Sequence, residues 1–316
     1  MRVGVQNAVI VPLGGVQDCY RIAAEMGISA VDLCISEQWS VVQIFRNETY
    51  GFFDQSVEEI YEHYRPFKEA ADANGITFHQ AHAPFPTMMV GKDELNEYIR
   101  MAIEKCIRVA AMLDCRYVVV HPIYTGAHRT EDEDLQVNLE AFRAYADILK
   151  EAGVTMCIEN AYEDFEGRNL CFSGSNSAFL LRLVDALNEL AGEECYGVCY
   201  DNGHANITGK DHYQEIMSYG KHLKVLHVHD TDGTFDNHLI PYTSRYLDRQ
   251  GTDWNGILKG LAKINFDGCI SFETDGGIRG FPEEVRRDAL RLNASIGNYF
   301  VSKIEQYKKE EFPINP

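Results

Sequence analysis

Eight short apolar runs recur along the chain, and longer segments with helical spacing of apolar residues separate them. Short runs joined by helical crossovers are typical of strands in a parallel sheet. Eight such units, with no low-complexity linker between them, predict an α/β fold: a (β/α)8 TIM barrel in which residues 1–316 form a single domain. The predicted strands are Arg2–Gln6, Ala30–Ile35, Thr77–Ala81, Tyr117–His121, Thr155–Glu159, Gly197–Asp201, Leu223–Val228 and Cys269–Glu273.

The segments between the strands carry the features of helices. Helical spacing is seen in Glu58–Ala73, Asp93–Leu113, Leu135–Leu149 and Glu283–Phe300. Gly27, Gly75 and Gly153 stand between a helical segment and a strand, as expected of glycines that end helices. An open doubly wound sheet is the competing architecture, and it usually carries a glycine-rich turn after its first strand. The residues that follow Gln6 contain no such turn, which favours the closed barrel.

Charge and composition narrow the class of protein. The chain has 29 lysines and arginines against 48 aspartates and glutamates, a formal net charge of −19. The negative electrostatic field of such a chain repels phosphate backbones and anionic lipids, so nucleic acid is a poor candidate partner. No apolar run reaches the roughly 18 residues of a membrane span. The absence of a signal-peptide layout and of any CxxC pair among nine cysteines favours a cytoplasmic protein with reduced thiols.

Ionisable residues stand at or just beyond the ends of six predicted strands, namely His82, His121, Glu159, Asp201, His227 and Glu273. In a barrel these strand ends surround one mouth, where active sites lie. Carboxylates gathered there are costly unless a cation neutralises them. Taken singly, Glu159 and Glu273 could cap a helix or pair with an arginine, and Asp201 could belong to a turn. Their common placement after apolar strands favours a divalent metal site.

The segment after the seventh strand offers further ligands. His227 and His229 point to the same side of a strand because side chains alternate. We expect His227 to contact the metal, and His229 or Asp230 to hold an imidazole or a substrate oxygen. Asp236 and His238 either add a cation site or belong to a solvated loop.

Two long connections, residues 35–56 and 229–253, follow strands and should project from the same mouth. Their aromatic residues either cover a ligand or form a subunit contact in a homo-oligomer. Arg245, Arg249 and Arg279 either bind a substrate phosphate or form surface salt bridges.

The ordered set of short sequences resembles the xylose isomerase-like TIM-barrel superfamily, which includes sugar isomerases, sugar epimerases and the endonuclease IV branch. These sequences are His82-Ala83-Pro84, Val120-His121-Pro122, Ile158-Glu159-Asn160, Asp201-Asn202-Gly203-His204, His227-Val228-His229-Asp230, Asp236-Asn237-His238 and Phe272-Glu273. The resemblance extends over nearly the whole chain, from the first predicted strand to the eighth.

The resemblance implies roles for individual residues. One Mn2+, Zn2+, Co2+ or Mg2+ ion would be held by Glu159, Asp201, His227 and Glu273. The two glutamates would also be catalytic. His204 would contact the substrate or a second metal ion. Independently of the resemblance, we also expect substrate contacts from His121, His82 and His229. By similarity to the endonuclease branch, more than one ion is conceivable, with additional ligands at His82, His121, His204, Asp236 and His238.

Together these features predict a divalent-metal-dependent isomerase or epimerase of a small sugar or keto-polyol. One glutamate would remove a proton beside a metal-polarised carbonyl and the other would return it, through an enediolate. Three alternatives stay open. The first is a metal-dependent lyase or dehydratase acting on keto-inositols or 3-keto glycosides, with or without a partner subunit. The second is an endonuclease IV-like phosphodiesterase, which the negative charge disfavours. The third is a non-catalytic metal-binding barrel.

Overall fold

The computed structural model describes residues 1–49, 51–126, 129–165, 167–244 and 251–310. Its main feature is a sheet of eight parallel strands. They are β1 (Arg2–Gln6), β2 (Ala30–Cys34), β3 (Thr77–His82), β4 (Tyr117–Val120), β5 (Thr155–Glu159), β6 (Tyr196–Asp201), β7 (Leu223–His227) and β8 (Cys269–Phe272). The strands pair in the order β8-β1-β2-β3-β4-β5-β6-β7, so each crossover leads to the neighbouring strand.

The sheet closes on itself between β7 and β8. Just beyond β7, the Val228 amide donates to the Ser271 carbonyl at 2.8 Å, and the Glu273 amide donates to the Val228 carbonyl at 3.1 Å. These bonds form a parallel bridge between Val228 and Phe272. The predicted (β/α)8 barrel is therefore confirmed, and the open doubly wound sheet is excluded.

Helices connect the strands and pack around the barrel. They are α1 (Asn7–Ile10), α2 (Gly15–Glu25), α3 (Val41–Phe45), α4 (Val57–Ala73), α5 (Asp93–Met112), α6 (Glu131–Arg143), α7 (Ala146–Ala152), α8 (Ser177–Ala191), α9 (Asn202–Ile207), α10 (His212–Tyr219), α11 (Trp254–Lys263), α12 (Asp275–Arg279) and α13 (Glu283–Lys309). After β5, an antiparallel hairpin pairs Glu163–Phe165 with Arg168–Leu170.

The predicted and observed elements differ mainly at their ends. β4 ends at Val120 and β8 ends at Phe272, so His121 and Glu273 follow their strands directly. The helical segment predicted over Leu135–Leu149 is divided between α6 and α7 by a turn at residues 144–145. None of the described helices combines the length and the apolar character that a membrane span requires.

Two apolar clusters build the core. The larger one lies between the helices and the outward side of the strands, and Val118 and Val120 of β4 belong to it. The smaller one lies inside the barrel, and its members are Val119, Cys157, Cys199 and Val225. This alternation along β4 is the period of two that a strand imposes. Eight of the nine cysteines are buried, and Cys171 is exposed.

Helix α13 packs on β1 and β8 at Gly297, where there is no space for a side chain. A Cβ atom at this position would lie 2.5 Å from Val3 Cγ1 and 2.7 Å from Phe272 Cε2. In an unobstructed helix, alanine is favoured over glycine by about 1 kcal/mol. We predict the opposite sign here. Gly297→Ala should lower the free energy of unfolding by about 1–3 kcal/mol, because a branched side chain and a buried ring must move.

Chemical denaturation measures this change directly. Ser295→Ala, an exposed substitution on the same helix, is the matched control and should alter the free energy of unfolding by less than about 0.5 kcal/mol. A Gly297→Ala variant as stable as the wild-type chain would contradict the packing described for α13.

Candidate metal centre

The predicted site residues meet at one mouth of the barrel. Glu159, Asp201 and His227 are the last residues of β5, β6 and β7, and His82 is the last residue of β3. Because parallel strands in a barrel end at the same face, their final side chains surround a common point. A cavity of about 370 Å³ opens there, and its lining includes His82, His121, Glu159, His204, Asp236, His238 and Glu273.

The four residues expected to hold one ion form a compact group at the floor of this cavity. Glu159, Asp201, His227 and Glu273 each offer a ligand atom, and these atoms all lie within 4.8 Å of one another. His227 Nδ1 lies 3.1 Å from Glu159 Oε1 and 3.1 Å from Glu273 Oε2. Glu159, Asp201 and His227 are each at most 1% exposed. We call this group the primary cluster.

The unpaired atoms and the donor types of the primary cluster suit a bound divalent cation better than a hydrogen-bond network without an ion. Among the described residues, Glu159 Oε2 and His227 Nδ1 are buried atoms without a hydrogen-bond partner. Buried polar atoms in proteins are normally paired, and an unpaired one costs free energy. Three carboxylates that converge with one imidazole supply the oxygen and nitrogen donors that Mn2+, Zn2+ and Co2+ accept. The donor set therefore fits the expected ion.

A second layer of hydrogen bonds orients the ligands. Gln6 Nε2 donates to Glu273 Oε1 at 2.8 Å, which leaves Oε2 facing the primary cluster. Asp201 Oδ1 accepts a bond of 2.7 Å from the His204 amide. Asn160 Oδ1 accepts from the Asp201 amide, and Asn160 Nδ2 donates to the Asp201 carbonyl, both at 2.8 Å. Such contacts fix ligand geometry before an ion arrives.

The same layer contains a residue that the sequence did not point to as functional. His227 Nε2 lies 3.1 Å from Asp32 Oδ2, a carboxylate on β2. Asp32 is the single charged residue of its strand, whose other members are apolar. That isolated charge is the signal in the sequence that could have identified it. Our expectation placed His229 or Asp230 in this supporting position instead.

Backbone carbonyls set the tautomers of three other histidines. The Nδ1 atoms of His82, His204 and His238 lie 2.7, 2.8 and 3.0 Å from carbonyl oxygens. Because a carbonyl can only accept, we assign the proton to Nδ1 in each ring. Their Nε2 atoms then face the carboxylates of the mouth: His204 Nε2 and His238 Nε2 each lie 3.2 Å from Asp236 Oδ2, and His82 Nε2 lies 3.6 Å from Glu159 Oε2. This arrangement suits either metal binding or hydrogen bonds to substrate hydroxyl groups.

A second group of ligand-type residues lies beside the primary cluster. His229, Asp236 and His238 have ligand atoms within 4.8 Å of one another. Asp236 Oδ2 lies 3.2 Å from both His204 Nε2 and His238 Nε2. Asp236 Oδ1 is buried without a hydrogen-bond partner in the described part of the chain. We call the group formed by Asp236, His204, His229 and His238 the secondary cluster.

His229 and Asp230 occupy supporting positions around the secondary cluster. The fully buried His229 has its Nε2 atom 3.1 Å from Asp201 Oδ2, and its ring stacks on His238 with centroids 4.3 Å apart. Asp230 accepts a bond of 2.6 Å from Thr252 Oγ1, and thereby anchors the long connection after β7. Substrate contact by His229 stays a prediction.

Burial and the neighbouring histidines together shift the pKa values of the ionisable residues at the mouth of the barrel. Burial alone would raise the pKa of Glu159, but His227 and other nearby imidazoles hold that pKa well below its usual range. Burial is the largest cause of the raised pKa of Glu273. Burial also lowers the pKa of His121 to about 3. The His121 ring is therefore neutral, and its Nε2 atom lies 3.4 Å from Glu159 Oε2.

Two loops shape the outer part of the cavity. The connection after β2 places Glu37 and Trp39 in its lining, and the segment after β3 adds Phe85. The Phe85 ring lies 4.4 Å from the His121 ring, measured between centroids. Arg279 pairs with Glu37 at 2.8 Å, so this candidate phosphate ligand forms a salt bridge. The other two candidates, Arg245 and Arg249, lie outside the described residues.

Comparisons with known proteins agree with the barrel. The chain aligns with the crystal structure of a D-tagatose 3-epimerase-like protein at 18% identity and a TM-score of 0.65, covering 98% of each chain. The 3-keto-D-glucoside 4-epimerase YcjR from E. coli aligns at 16% identity and 0.64, covering 93% of this chain and 99% of YcjR. An L-ribulose 3-epimerase aligns at 15% identity and 0.66, covering 100% of this chain and 99% of the epimerase. These likenesses establish a shared fold.

Sequence comparisons identify the family. The uncharacterised protein y4fM of Sinorhizobium fredii is 27% identical over 172 residues, or 53% of this chain and 50% of that protein, so the match spans about half of the relative's length. The family model described as the xylose isomerase-like TIM barrel matches residues 20–294, which is most of the chain. The protein therefore belongs to the xylose isomerase-like TIM barrel family.

Proposed function

We propose that this chain is a divalent-metal-dependent isomerase or epimerase that acts on a sugar or a keto-polyol. The observation that carries the proposal is the position of Glu159 and Glu273. Both carboxylates line the cavity, and both lie 3.1 Å from His227 Nδ1 in the primary cluster. Two carboxylates that share a cation-binding floor can serve proton transfer on a substrate held above them.

The cavity suits a small hydroxylated molecule. Its volume of about 370 Å³ lies within the range of small-molecule sites, which is roughly 300–1,000 Å³. His82 and His121 line it, with their Nε2 atoms 3.6 and 3.4 Å from Glu159 Oε2, and Trp39 and Phe85 supply an apolar wall. No lysine or arginine occurs among the described lining residues. A neutral polyol therefore matches this lining, and the sugar names of the structural neighbours point to the same substrate class.

The residues would divide the chemistry as follows. A bound divalent ion would supply Lewis-acid polarisation of the substrate carbonyl. One of the two glutamates would remove the proton from the adjacent carbon, and the other would deliver a proton. Delivery to the opposite face of the same carbon gives epimerisation, and delivery to the neighbouring carbon gives isomerisation. His82 and His121 would hold substrate hydroxyl groups through hydrogen bonds.

Metal binding should stabilise the fold measurably. With free Mn2+ at about 100 times its dissociation constant, the free energy of unfolding should rise by about 2.7 kcal/mol over that of the EDTA-treated protein. Glu159→Gln should lose most of this gain, because the variant removes a charge from the primary cluster. Asp288→Asn, which alters an exposed carboxylate paired with Arg291, should retain it. Equal stability of the wild-type chain with Mn2+ and with EDTA would contradict the proposal.

Proton transfer through the enzyme should exchange a carbon-bound hydrogen of the substrate with the solvent. In deuterium oxide, the wild-type enzyme should introduce deuterium at a carbon of D-tagatose, D-psicose, L-ribulose or a 3-keto-glucoside, as followed by NMR. Glu159→Gln and Glu273→Gln should each slow exchange by about 100-fold or more, since general acid–base groups contribute on that scale. Stripping the metal should abolish exchange, and restoring it should recover exchange.

Other outcomes separate the alternatives. Loss of water from a keto-inositol, or cleavage of the 3-keto-glucoside, would identify a lyase in place of an isomerase. Bound metal with no reaction on any member of the substrate panel would support a non-catalytic barrel. Full activity in a metal-free sample would exclude the proposed scheme altogether.

The secondary cluster leads us to propose a second ion. Elemental analysis of dialysed wild-type protein should give close to two divalent ions per chain. Asp236→Asn should give close to one, because Asp236 supplies the oxygen that lies between His204 and His238. The primary cluster does not use this carboxylate, so its ion should remain. A single ion in both proteins would contradict this assignment.

A further inference from the structure

Asp32 lies in the interior of the barrel, directly behind the primary cluster. It belongs to β2 and is 1% exposed. Its Oδ2 atom lies 3.1 Å from His227 Nε2 and accepts a bond of 3.0 Å from Gln80 Nε2. Gln80 also donates to the Leu226 carbonyl at 3.2 Å, and so connects Asp32 to the strand that carries His227.

This contact determines which ring atom of His227 is free. A carboxylate accepts a hydrogen bond, so the imidazole proton is placed on Nε2. Nδ1 faces Glu159 and Glu273 at 3.1 Å, so it is the ring atom that would donate its lone pair to an ion in the primary cluster. His82, His204 and His238 have the opposite arrangement, with Nδ1 bonded to a backbone carbonyl and Nε2 directed at the carboxylates of the mouth. His227 thus differs from these three neighbours in the atom that it presents.

Burial of the Asp32 carboxylate costs free energy unless an interaction compensates it. Its second oxygen, Oδ1, has no hydrogen-bond partner among the described residues. Ionised carboxylates are rarely placed in a protein interior without compensation. A carboxylate that accepts a proton from a metal-binding histidine fixes the orientation of the ring and increases its basicity. That role accounts for both the burial of Asp32 and its contact with Nε2.

We infer that Asp32 is the positioning residue that makes His227 a ligand through Nδ1, with Gln80 holding the carboxylate in place. The inference rests on the proposed function, since it requires an ion in the primary cluster. Asp32 itself would touch neither the ion nor the substrate. Its effect would be transmitted through the imidazole of His227.

Metal affinity is the readout that separates this role from a purely structural one. In competition with a chromophoric chelator, Asp32→Asn should bind Zn2+ about 10–100-fold more weakly than the wild-type chain. The matched control is Asp134→Asn. Asp134 is also a buried aspartate, 5% exposed, and it accepts hydrogen bonds from Thr125 and Ser173. This variant should keep the wild-type affinity although it too loses a buried carboxylate.

The tautomer of His227 can be read in the wild-type protein, so the test does not depend on a folded variant. Long-range 1H–15N correlation spectra of the Zn2+-bound protein should show the His227 proton on Nε2, with Nδ1 unprotonated. A proton on Nδ1 would overturn the inference, as would unchanged Zn2+ affinity in a folded Asp32→Asn variant. A wild-type chain that binds no metal would overturn this inference and the proposed function together. Normal metal binding by both proteins would overturn only the role of Asp32.

Discussion

The mutual repulsion of buried carboxylates dominates the mouth of this barrel. Glu159, Asp201 and Glu273 converge on His227 in a space where their ligand atoms lie within 4.8 Å of one another, and Asp32 adds a fourth acid behind the imidazole. Low-dielectric surroundings strengthen such repulsion. The neighbouring histidines offset part of it, and a divalent cation would offset the remainder. The proposed chemistry therefore depends on the same electrostatic imbalance that the fold creates.

The barrel creates this imbalance by its geometry. Closure through the bridge between Val228 and Phe272 brings the strand that ends in His227 beside the one that precedes Glu273. Successive parallel strands then deliver one polar side chain each to the same face. Gln6 and Asn160 hold two of the carboxylates in fixed orientations. A site built from strand ends in this way is more rigid than a site built from loops alone, which suits both metal binding and directed proton transfer.

Much of this arrangement could be predicted from the sequence, because strand period and strand direction are local properties. Apolar runs located the eight strands, and the residues that end them located the primary cluster. The role of Asp32 could not be predicted from the sequence because its partner, His227, is 195 residues away along the chain. Only the closed barrel brings β2 and β7 close enough for this contact. The salt bridge between Arg279 and Glu37 likewise joins distant loops, so the sequence left it as one of two alternatives.

The most direct measurement is anomalous diffraction from crystals grown with Mn2+ or Zn2+, collected on both sides of the absorption edge of the metal. The account predicts a strong anomalous peak in contact with Glu159, Asp201, Glu273 and the Nδ1 atom of His227. Diffraction that shows no anomalous peak among these side chains, from crystals in which the ion is present at saturating concentration, would contradict the metal-dependent function.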